Sequence, residues 1–404
     1  MIATAEPNTA ASAGPGRPPA VLQVIPALAA GGVERGTVEI AAALVRAGWR
    51  SVVASSGGPM VREIERAGAE HVILPLAGKG PLNIYRNIGR LAALIEAREI
   101  DVVHARSRAP AWSAYRAAQR TGRHFVTTFH NIYGGETRLK RLYNSVMAKG
   151  ERVIAISDFV GAHARKVYGV SPEQLRIIPR GVDLDRFDPE SIAPPRLIAL
   201  AADWRLQDDK PVVMLPGRLT RWKGHVDLID AVSLMADRNF QVLFVGPEEQ
   251  KPHFRDELVQ RIHARGLSSV FHIVGACRDM PAAFMLADVV ISASSRPEGF
   301  GRVTIEAQAM GRPVIATDHG GSRETVRAGE TGWLVPPNDP KSLARALGEA
   351  LSLGSAERLA LAARARGWVA QRYDTRLMCD ATLSVYEELL FPQLASAEMT
   401  SAVA

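Results

Sequence analysis

The sequence predicts an α/β protein made of two Rossmann-like domains, each with its own twisted parallel sheet. Short runs rich in Val and Ile alternate with helix-length segments along the chain, which is typical of parallel strands covered by helices on both faces. The chain has 404 residues, 47% of them hydrophobic, which is enough for two ordinary cores. A proline-rich stretch without sustained periodicity, residues 177–201, reads as the connection between the domains.

Each half of the chain supplies six strand candidates. Those of the first half are 21–25, 51–54, 71–74, 102–104, 125–128 and 153–156. Those of the second half are 212–215, 241–245, 270–274, 289–292, 314–316 and 332–335. Ligands of open α/β sheets bind at the carboxyl ends of the strands, so we expect the two domains to face each other with these ends across a central cleft.

The domain bounds follow from this pattern. We predict a disordered tail over residues 1–18, a first domain over 19–190 and a second over 191–374. Residues 375–404 form a last helix and tail, with Asp374 as the N-cap of a helix over 375–390 that crosses back to the first domain.

Charge is unevenly distributed. The net charge of +7 divides into +8 for residues 1–190 and −1 for residues 191–404. The basic half indicates an anionic partner, such as a membrane surface, a phosphorylated lipid or an acidic saccharide. Only 6% of residues are aromatic, and basic residues are not interleaved with aromatic ones, so we predict no nucleic-acid partner.

The number of cysteines and the length of the apolar runs indicate the cellular compartment of the protein. Two cysteines exclude a disulfide framework and a multi-cysteine metal site, and they fit a reducing compartment. No apolar run approaches the roughly 20 residues that cross a bilayer. Residues 20–30 imitate a signal peptide poorly, since they contain Gln23 and Pro26. We therefore expect a cytoplasmic protein, and peripheral contact at the inner face of the membrane is left open as an alternative.

A cationic loop is the most informative segment. GRLTRWKG, residues 217–224, follows a buried-type strand and precedes a helix predicted over 225–235. Arg218, Arg221 and Lys223 therefore crowd a helix N-terminus, where the macrodipole disfavours cations. A bound diphosphate would reverse that conflict. A solvated basic surface loop would show the same cluster.

A second loop and the helix that follows it carry two carboxylates. Strand 289–292 leads into RPEGFG, residues 296–301, and then a helix, which places Glu298 ahead of the helix and Glu306 in its first turns. Carboxylates repel phosphates, so in a nucleotide site they would accept hydrogen bonds from sugar and ribose hydroxyls. Both could instead merely satisfy the start of the helix.

GRLTRWKG followed by PEGFGRVTIEA resembles the paired signatures of the retaining family 4 glycosyltransferases, including bacterial lipopolysaccharide and polysaccharide enzymes, whose two-domain fold is called GT-B. The similarity extends over nearly the whole chain. It includes Gly31-Gly32, the strand ends at His104 and His130, IPRGVD at 178–183 and GGSRETV at 320–326.

The resemblance implies that the second domain binds a nucleotide-sugar and the first binds the acceptor. Its candidate catalytic residues are His130, Glu298, Arg218 and Lys223. Its candidate donor-binding residues are Gly31, Gly32, Arg218, Lys223, Gly275, Glu298, Gly299, Phe300, Gly301, Val303 and Glu306. Arg218 and Lys223 would bind the diphosphate, Glu298 the donor sugar and Glu306 the ribose. His130 would lie near the anomeric carbon, although a histidine at a strand end could equally be structural.

Two departures from the family pattern add cations. His104-Ala105-Arg106 stands where the family often has His-Ala-His, and Arg180 stands where it often has Asn. These arginines indicate an anionic acceptor, unless each pairs with a neighbouring carboxylate.

Two other motifs do not carry a function. The glycines around Gly31 imitate a phosphate-binding P-loop, but Thr37 stands where its lysine should be. Asp183-Leu-Asp185 has the spacing of a metal-binding DxD, but it lies in the proline-rich stretch, where turn formation is the better interpretation. We predict no metal site, because Arg218 and Lys223 already supply positive charge to the leaving group.

Residues 138–152 place apolar side chains on one helical stripe with cations nearby. A core-facing amphipathic helix is the favoured interpretation, and contact with an anionic membrane is the alternative.

The sequence therefore predicts a retaining, metal-independent glycosyltransferase of the hexosyltransferase type. It would move a sugar from a UDP-, GDP- or ADP-linked donor, without a further cofactor, to an anionic saccharide or lipid-linked acceptor of lipopolysaccharide or cell-surface polysaccharide synthesis. The alternatives are a glycoside hydrolase, with Glu298 and Glu306 as its carboxylate pair, and a nucleotide-sugar-binding protein without catalysis.

Overall fold

A computed structural model describes residues 17–29, 31–134, 137–248 and 253–393, which form two compact units. One unit comprises the described residues up to Pro179 together with those from Arg376 onward, and the other comprises Arg180–Thr375. Most of the predicted tail, residues 1–16, lies outside the described residues. Arg17, which we had assigned to that tail, is bound: its Nη1 lies 2.8 Å from Oδ2 of the buried Asp101.

The first unit is a seven-stranded parallel sheet in the order β3-β2-β1-β4-β5-β6-β7. Its strands are β1 (Ala20–Val24), β2 (Arg50–Ser55), β3 (Glu70–Ile73), β4 (Val102–Ala105), β5 (His124–Phe129), β6 (Arg152–Ala155) and β7 (Leu175–Ile177). Its helices are α1 (Gly32–Arg46), α2 (Val61–Arg66), α3 (Pro81–Ala97), α4 (Arg108–Thr121), α5 (Arg138–Asn144) and α6 (Asp158–Tyr168), with a 3-10 turn at Ser145–Ala148.

The second unit is a six-stranded parallel sheet in the order β10-β9-β8-β11-β12-β13. Its strands are β8 (Val212–Pro216), β9 (Gln241–Val245), β10 (Phe271–Gly275), β11 (Val289–Ser292), β12 (Val314–Thr317) and β13 (Trp333–Val335). Its helices are α7 (Pro194–Asp203), α8 (His225–Leu234), α9 (His253–Ala264), α10 (Met280–Leu286), α11 (Arg302–Ala309), α12 (Ser322–Thr325), α13 (Pro340–Ser352) and α14 (Ser355–Arg372), with 3-10 turns at Pro189–Ser191 and Arg221–Lys223.

Each sheet has one switch point, where the strand order reverses. In the first unit it lies between the neighbours β1 and β4, and in the second between the neighbours β8 and β11. The loops that leave these neighbouring strands diverge to opposite faces of the sheet, which opens a crevice at their carboxyl ends. The central strands β1, β4, β8 and β11 are fully buried, as strands covered by helices on both faces must be.

All twelve predicted strands are present, with ends within one residue of the prediction, which confirms the α/β class. The short edge strand β7 was missed, because its sequence Leu-Arg-Ile has no apolar run to distinguish it from a loop.

The chain passes to the second unit at Pro179 and Arg180, earlier than the predicted boundary at residue 190. The reason is pairing with the end of that unit: Val182 N–H donates to Tyr373 O at 2.7 Å, and Phe187 packs against Phe284. The predicted irregular connection also contains α7, which begins with Pro194 at a position where proline favours a helix.

The last helix, α15 (Thr375–Leu390), packs into the core of the first unit, as expected for a helix that crosses back. Its Tyr386 is fully buried, and the Tyr386 hydroxyl lies 2.6 Å from Nδ1 of His104 on β4. Glu388 accepts hydrogen bonds from Arg152 at 2.7 Å and Arg176 at 2.9 Å, on the neighbouring strands β6 and β7. These contacts hold the C-terminal helix across the sheet.

Candidate active site

Two loops of the second unit meet at its switch point. The loop after β8 carries Arg218 and Lys223, and the loop after β11 carries Glu298. Since β8 and β11 are hydrogen-bonded neighbours, both loops lie at the same carboxyl edge of the sheet. Residues that are 75 positions apart in sequence are therefore in direct contact there.

That contact is an ion pair between Lys223 and Glu298. The Lys223 Nζ lies 2.8 Å from the Glu298 Oε1, and the two side chains are only 16% and 15% exposed. The Ser294 hydroxyl donates to the same carboxylate oxygen. The Lys223 ammonium also lies 4.6 Å from the centroid of the Trp222 ring, a cation–π distance. The pair thus joins the two loops in a sheltered place, where screening by water is reduced.

A glycine lets the two loops approach. Gly224 directly follows Lys223 and has a left-handed φ of 84°. A Cβ at this position would lie 2.0 Å from the carbonyl oxygen of Ala293, at the end of β11. Only glycine accommodates both the backbone angle and the contact, and the tight packing fixes where Lys223 emerges.

The other two cations of the loop differ in their surroundings. Arg221 is 70% exposed and ion-paired with Glu257, with Nη1 at 2.7 Å from Oε1. Arg218 is also exposed, but it makes no ion pair with a residue that the structure describes. Its charge is therefore available at the edge of the sheet, whereas that of Arg221 is locally balanced.

Helix α11 begins at this site. Gly299 and Phe300 are buried, and Gly301 caps the helix with a left-handed φ of 89°. Val303 is the second residue of the helix, in the turn whose backbone N–H groups have no partner inside the helix, and Glu306 follows three residues later. The Arg302 Nη2 lies 3.2 Å from the Glu306 Oε1. Each of the two predicted hydroxyl-binding carboxylates, Glu298 and Glu306, thus lies beside a cation, unlike the apolar surroundings of a glycosidase acid.

The loop after β12 packs against the backbone of Glu298. The Gly321 N–H donates to the Glu298 carbonyl at 2.9 Å, and a Cβ at Gly320 would lie 2.5 Å from the same oxygen. His319 Nε2 is 2.7 Å from the Ser294 carbonyl. Neither Ser294 nor His319 belongs to a motif identified in the sequence. Each follows the end of its strand by two residues, and that position is the signal that could have identified them.

Gly275 ends β10, two strands away from β8. Its carbonyl accepts from the Gly246 N–H at 2.7 Å. Gly246 in turn packs against Gly217, since a Cβ on Gly246 would lie 2.0 Å from the Gly217 carbonyl oxygen. Gly217, the first residue of the cationic loop, and Gly275, a predicted donor-binding residue, are therefore connected through one intervening glycine.

His225 lies beneath the cationic loop. It is fully buried, with its ring edge-on to Phe244 at 4.8 Å and to Phe254 at 6.0 Å between centroids. Burial lowers the pKa of His225 to about 4. The imidazole is therefore neutral at physiological pH and packs as an aromatic residue.

Three predicted residues belong to the first unit. Gly31 and Gly32 lie at the start of α1, on the loop after β1. His130 directly follows β5, and its N–H donates to the Tyr133 hydroxyl at 3.3 Å. In the sheet β4 lies between β1 and β5, so both loops leave the carboxyl edge close to the switch point of this unit.

Neither of the additional arginines is displayed on the surface. Arg106 and Arg180 are 3% and 5% exposed. Burial lowers the pKa of Arg106, and the opposing effect of the titratable groups Tyr386 and Glu39 is smaller than that of burial. We inferred an anionic acceptor from these two arginines. Because both are buried, their exposure does not support that inference.

The Asp183-Leu-Asp185 motif forms a turn. The Asp183 Oδ1 accepts the N–H groups of Asp185 at 3.1 Å and Arg186 at 3.2 Å. Across the described part of the chain, no group of three or more His, Cys, Asp or Glu side chains lies close enough together to hold a metal ion.

Both units match known family models. Residues 199–368 match the model described as glycosyl transferases group 1, and residues 30–186 match the model described as glycosyltransferase family 4.

Relatives and solved structures agree with these matches. The D-inositol 3-phosphate glycosyltransferase of Xylanimonas cellulosilytica is 30% identical over 71% of this chain and 72% of its own length. A crystal structure of a glycosyltransferase from Rickettsia africae is 37% identical, with a TM-score of 0.86 over 93% of this chain and 99% of its own. Anabaena HepE, crystallised with UDP and glucose, is 23% identical, with a TM-score of 0.79 over 91% of this chain and 99% of its own. The structures establish the GT-B fold class, and with the family models they show that the chain belongs to glycosyltransferase family 4 and is an enzyme that transfers a sugar.

Proposed function

We propose that the site at the β8–β11 switch point binds a nucleoside diphosphate sugar and that the enzyme transfers the sugar with retention of configuration. The observation that carries the proposal is the sheltered Lys223–Glu298 ion pair, which places one cation and one carboxylate side by side between two loops. A diphosphate requires the cation, and the hydroxyl groups of the attached sugar require the acceptor oxygens.

The charges that develop as the diphosphate leaves determine the role of each residue in the site. Breaking the anomeric C–O bond places negative charge on the diphosphate and positive charge on the sugar ring. Lys223 and Arg218 stabilise the diphosphate, together with the positive end of the α11 dipole, where Gly299 and Gly301 lie. Glu298 accepts hydrogen bonds from the sugar and Glu306 from the ribose. Val303 lies in the same helical turn as Glu306. Gly275 would lie near the base of the nucleotide.

The acceptor supplies the nucleophile. Its hydroxyl oxygen forms a bond to the anomeric carbon on the face that the diphosphate leaves, and its proton passes to the departing phosphate oxygen. Configuration is thereby retained, and no protein base is needed. In this proposal the first unit contributes Gly31 and Gly32, which would permit close approach of backbone to the phosphates and the acceptor, and His130, which would act near the anomeric carbon.

We propose that the acceptor is anionic, as an acidic saccharide or a lipid-linked saccharide of lipopolysaccharide or cell-surface polysaccharide synthesis. The support is the net charge of +8 in residues 1–190 and the phosphorylated compound in the name of the Xylanimonas relative. Such an acceptor would bring the enzyme to the inner face of the membrane as a peripheral protein. Within the described residues no helix has both the length and the apolarity to cross a bilayer.

A donor panel tests the proposal. The purified protein is incubated with UDP-, GDP- and ADP-linked sugars, and both thermal stabilisation and nucleotide release are measured, starting with UDP-glucose because HepE was crystallised with UDP and glucose. We expect one donor to stabilise the protein and to be consumed when an acceptor is present, with the anomeric configuration of the product, read by NMR, equal to that of the donor.

Two controls separate the alternatives. Cleavage of aryl glycosides without a nucleotide would contradict the proposal in favour of hydrolysis, and an inverted product would contradict retention. Chelation of divalent metals by EDTA should leave the transfer rate unchanged, since Arg218 and Lys223 provide the positive charge.

A further inference from the structure

An apolar groove opens on the first unit between α3, α4 and α5. It encloses about 510 Å³. Its lining consists of Pro81, Ile84, Tyr85, Ile88, Trp112, Arg116, Leu139, Leu142 and Tyr143. Eight of these nine residues are apolar or aromatic, and none is acidic. A groove of this composition on the surface of a water-facing domain indicates a binding surface.

Large apolar side chains project around the groove. Leu139 and Leu142 on α5 are 81% and 63% exposed, and Leu82 and Tyr85 on α3 are 60% and 74% exposed. Four of the eleven exposed large hydrophobic residues of the described chain are thus on α3 and α5. Isolated exposed leucines need no explanation, but a cluster of this kind does.

The structure divides the amphipathic stripe predicted over residues 138–152. Its later part, Val146 and Met147, is buried as a core-facing helix requires. Its earlier part, Leu139 and Leu142, faces outward instead. The favoured interpretation, a wholly core-facing helix, is therefore wrong for α5. The helix itself is secured by its cap, because the Thr137 side chain accepts from the Lys140 N–H.

The groove is surrounded by positive charge. Residues 137–149 contain Arg138, Lys140, Arg141 and Lys149, all exposed, and no acidic residue. Arg86 on α3 and Arg116 on α4 add two further exposed cations. Exposed apolar side chains beside several cations fit a surface that has both an apolar interior and a negative face.

We propose that this groove and its surrounding cations dock the first unit on an anionic lipid bilayer, with Leu82, Tyr85, Leu139 and Leu142 inserted at the interface. The proposal rests on the lipid-linked form of the acceptor proposed above and names the surface that would meet the membrane. A second copy of the chain is the less suitable occupant, since two such cationic rings would repel each other. A bilayer that contains anionic lipid provides the opposite charge and accepts the apolar side chains.

Vesicle binding tests the proposal. The full chain is sedimented with vesicles of phosphatidylcholine alone and of phosphatidylcholine with phosphatidylglycerol. We expect binding to the anionic vesicles, weakened as salt is added, and little binding to the neutral ones. Leu139→Ser with Leu142→Ser should lose most of that binding, as should Lys140→Glu with Arg141→Glu. Each cation near an anionic surface is worth about a fivefold change in affinity, so that removing two costs about 25-fold and reversing them more.

Matched variants in the second unit serve as controls. Ile198→Ser with Leu359→Ser alters two apolar residues that are 68% and 73% exposed, and Lys341→Glu with Arg345→Glu alters two exposed cations. Both controls should bind anionic vesicles like the parent protein. Because all the altered side chains are on the surface, thermal unfolding should be the same for every variant.

The outcomes separate this proposal from the proposed function. Donor consumption with a water-soluble acceptor should be equal in the parent and in the groove variants. Full vesicle binding by both groove variants, or equal binding to neutral vesicles, would overturn the docking surface and leave sugar transfer intact. A third outcome is a parent protein that self-associates, as seen by light scattering, and does not bind vesicles, while the leucine variant no longer self-associates. That outcome would identify a second copy as the occupant and would also overturn the docking surface. Vesicle binding by a parent protein that consumes no donor would instead count against the proposed function alone.

Discussion

The Nζ of Lys223 lies 2.8 Å from the Oε1 of Glu298, and each residue stands on a different loop at the switch point of the second sheet. The pair neutralises itself in this structure. A nucleoside diphosphate sugar would offer each member a different partner, a phosphate for the ammonium and hydroxyl groups for the carboxylate. The two side chains should therefore affect diphosphate binding in opposite directions.

Replacing Glu298 tests this opposition. Glu298→Gln should bind the free nucleoside diphosphate more tightly, by at least about fivefold, because even water-like screening would leave roughly 1 kcal/mol of repulsion to remove. The same variant should lose turnover of the sugar nucleotide, since the amide is a weaker acceptor for the sugar hydroxyls. Calorimetry and a nucleotide-release assay measure the two effects. Weaker diphosphate binding by this variant would contradict the assignment of Glu298 to the sugar.

The close contact at Gly224 predicts a stability difference between two glycines. Gly266 has open space around it and a positive φ of 65°. Gly266→Ala should therefore lose only the stability that a left-handed conformation costs a residue other than glycine, about 1–2 kcal/mol. Gly224→Ala adds a clash with the Ala293 carbonyl and should lose about 1–3 kcal/mol more. Urea unfolding compares the two. Equal losses would show that the β8 and β11 loops do not depend on this contact.

Tyr386 predicts how strongly the last helix is held. Tyr386→Phe removes the hydroxyl that lies 2.6 Å from the Nδ1 of His104, and leaves a buried imidazole nitrogen without that partner. The cost should be about 1–3 kcal/mol of stability. Tyr85→Phe, at a side chain that is 74% exposed, serves as the control and should cost almost nothing. A Tyr386→Phe protein as stable as the parent would contradict a structural role for this hydrogen bond.

His225 predicts a pH dependence. Its pKa is about 4 in the folded protein and near the ordinary value of 6.5 in the unfolded chain. Between these values the unfolded chain binds more protons, so stability must fall as the pH drops below about 6.5 and level off below about 4. The loss attributable to His225 between pH 7.5 and pH 5 should be about 2 kcal/mol.

The variant His225→Leu isolates this contribution. Its urea midpoint should change less between pH 7.5 and pH 5 than that of the parent protein. His253→Gln, which replaces an exposed histidine, should keep the parental change. An undiminished pH effect in His225→Leu would mean that the buried imidazole is not the group that titrates.

Much of the fold could be predicted because its strands carry a strong local signal. The buried run Val289–Ser292 is apolar up to its last residue and is bounded by loops, so its limits were predicted to the residue. Edge positions lack that signal, which is why Leu175–Ile177 was missed. The unit boundary at Pro179 was misplaced because it depends on pairing between Val182 and Tyr373, which are far apart in sequence.

The site was predictable where chemistry conflicts with local preference. Cations at a helix start and carboxylates around glycines identified Lys223 and Glu298 as residues of interest. The partners that hold them, Ser294 and His319, carry no such conflict, and they became visible only when β11 and β12 were placed side by side. The exposure of Leu139 was also unpredictable, since helical periodicity identifies an apolar face but not what covers it.

Binding of nucleoside diphosphates to Lys223→Ala tests the central claim most directly, with Arg221→Ala as the matched control. Isothermal calorimetry with UDP, GDP and ADP first identifies the one that binds the parent protein. Lys223→Ala should then lose about 2–4 kcal/mol of binding free energy for that nucleotide, as should Arg218→Ala if both contact the diphosphate. Arg221→Ala should lose little, because Arg221 is exposed and already paired with Glu257. Parental affinity in the Lys223→Ala protein would contradict the claim that this lysine binds the diphosphate of the sugar donor.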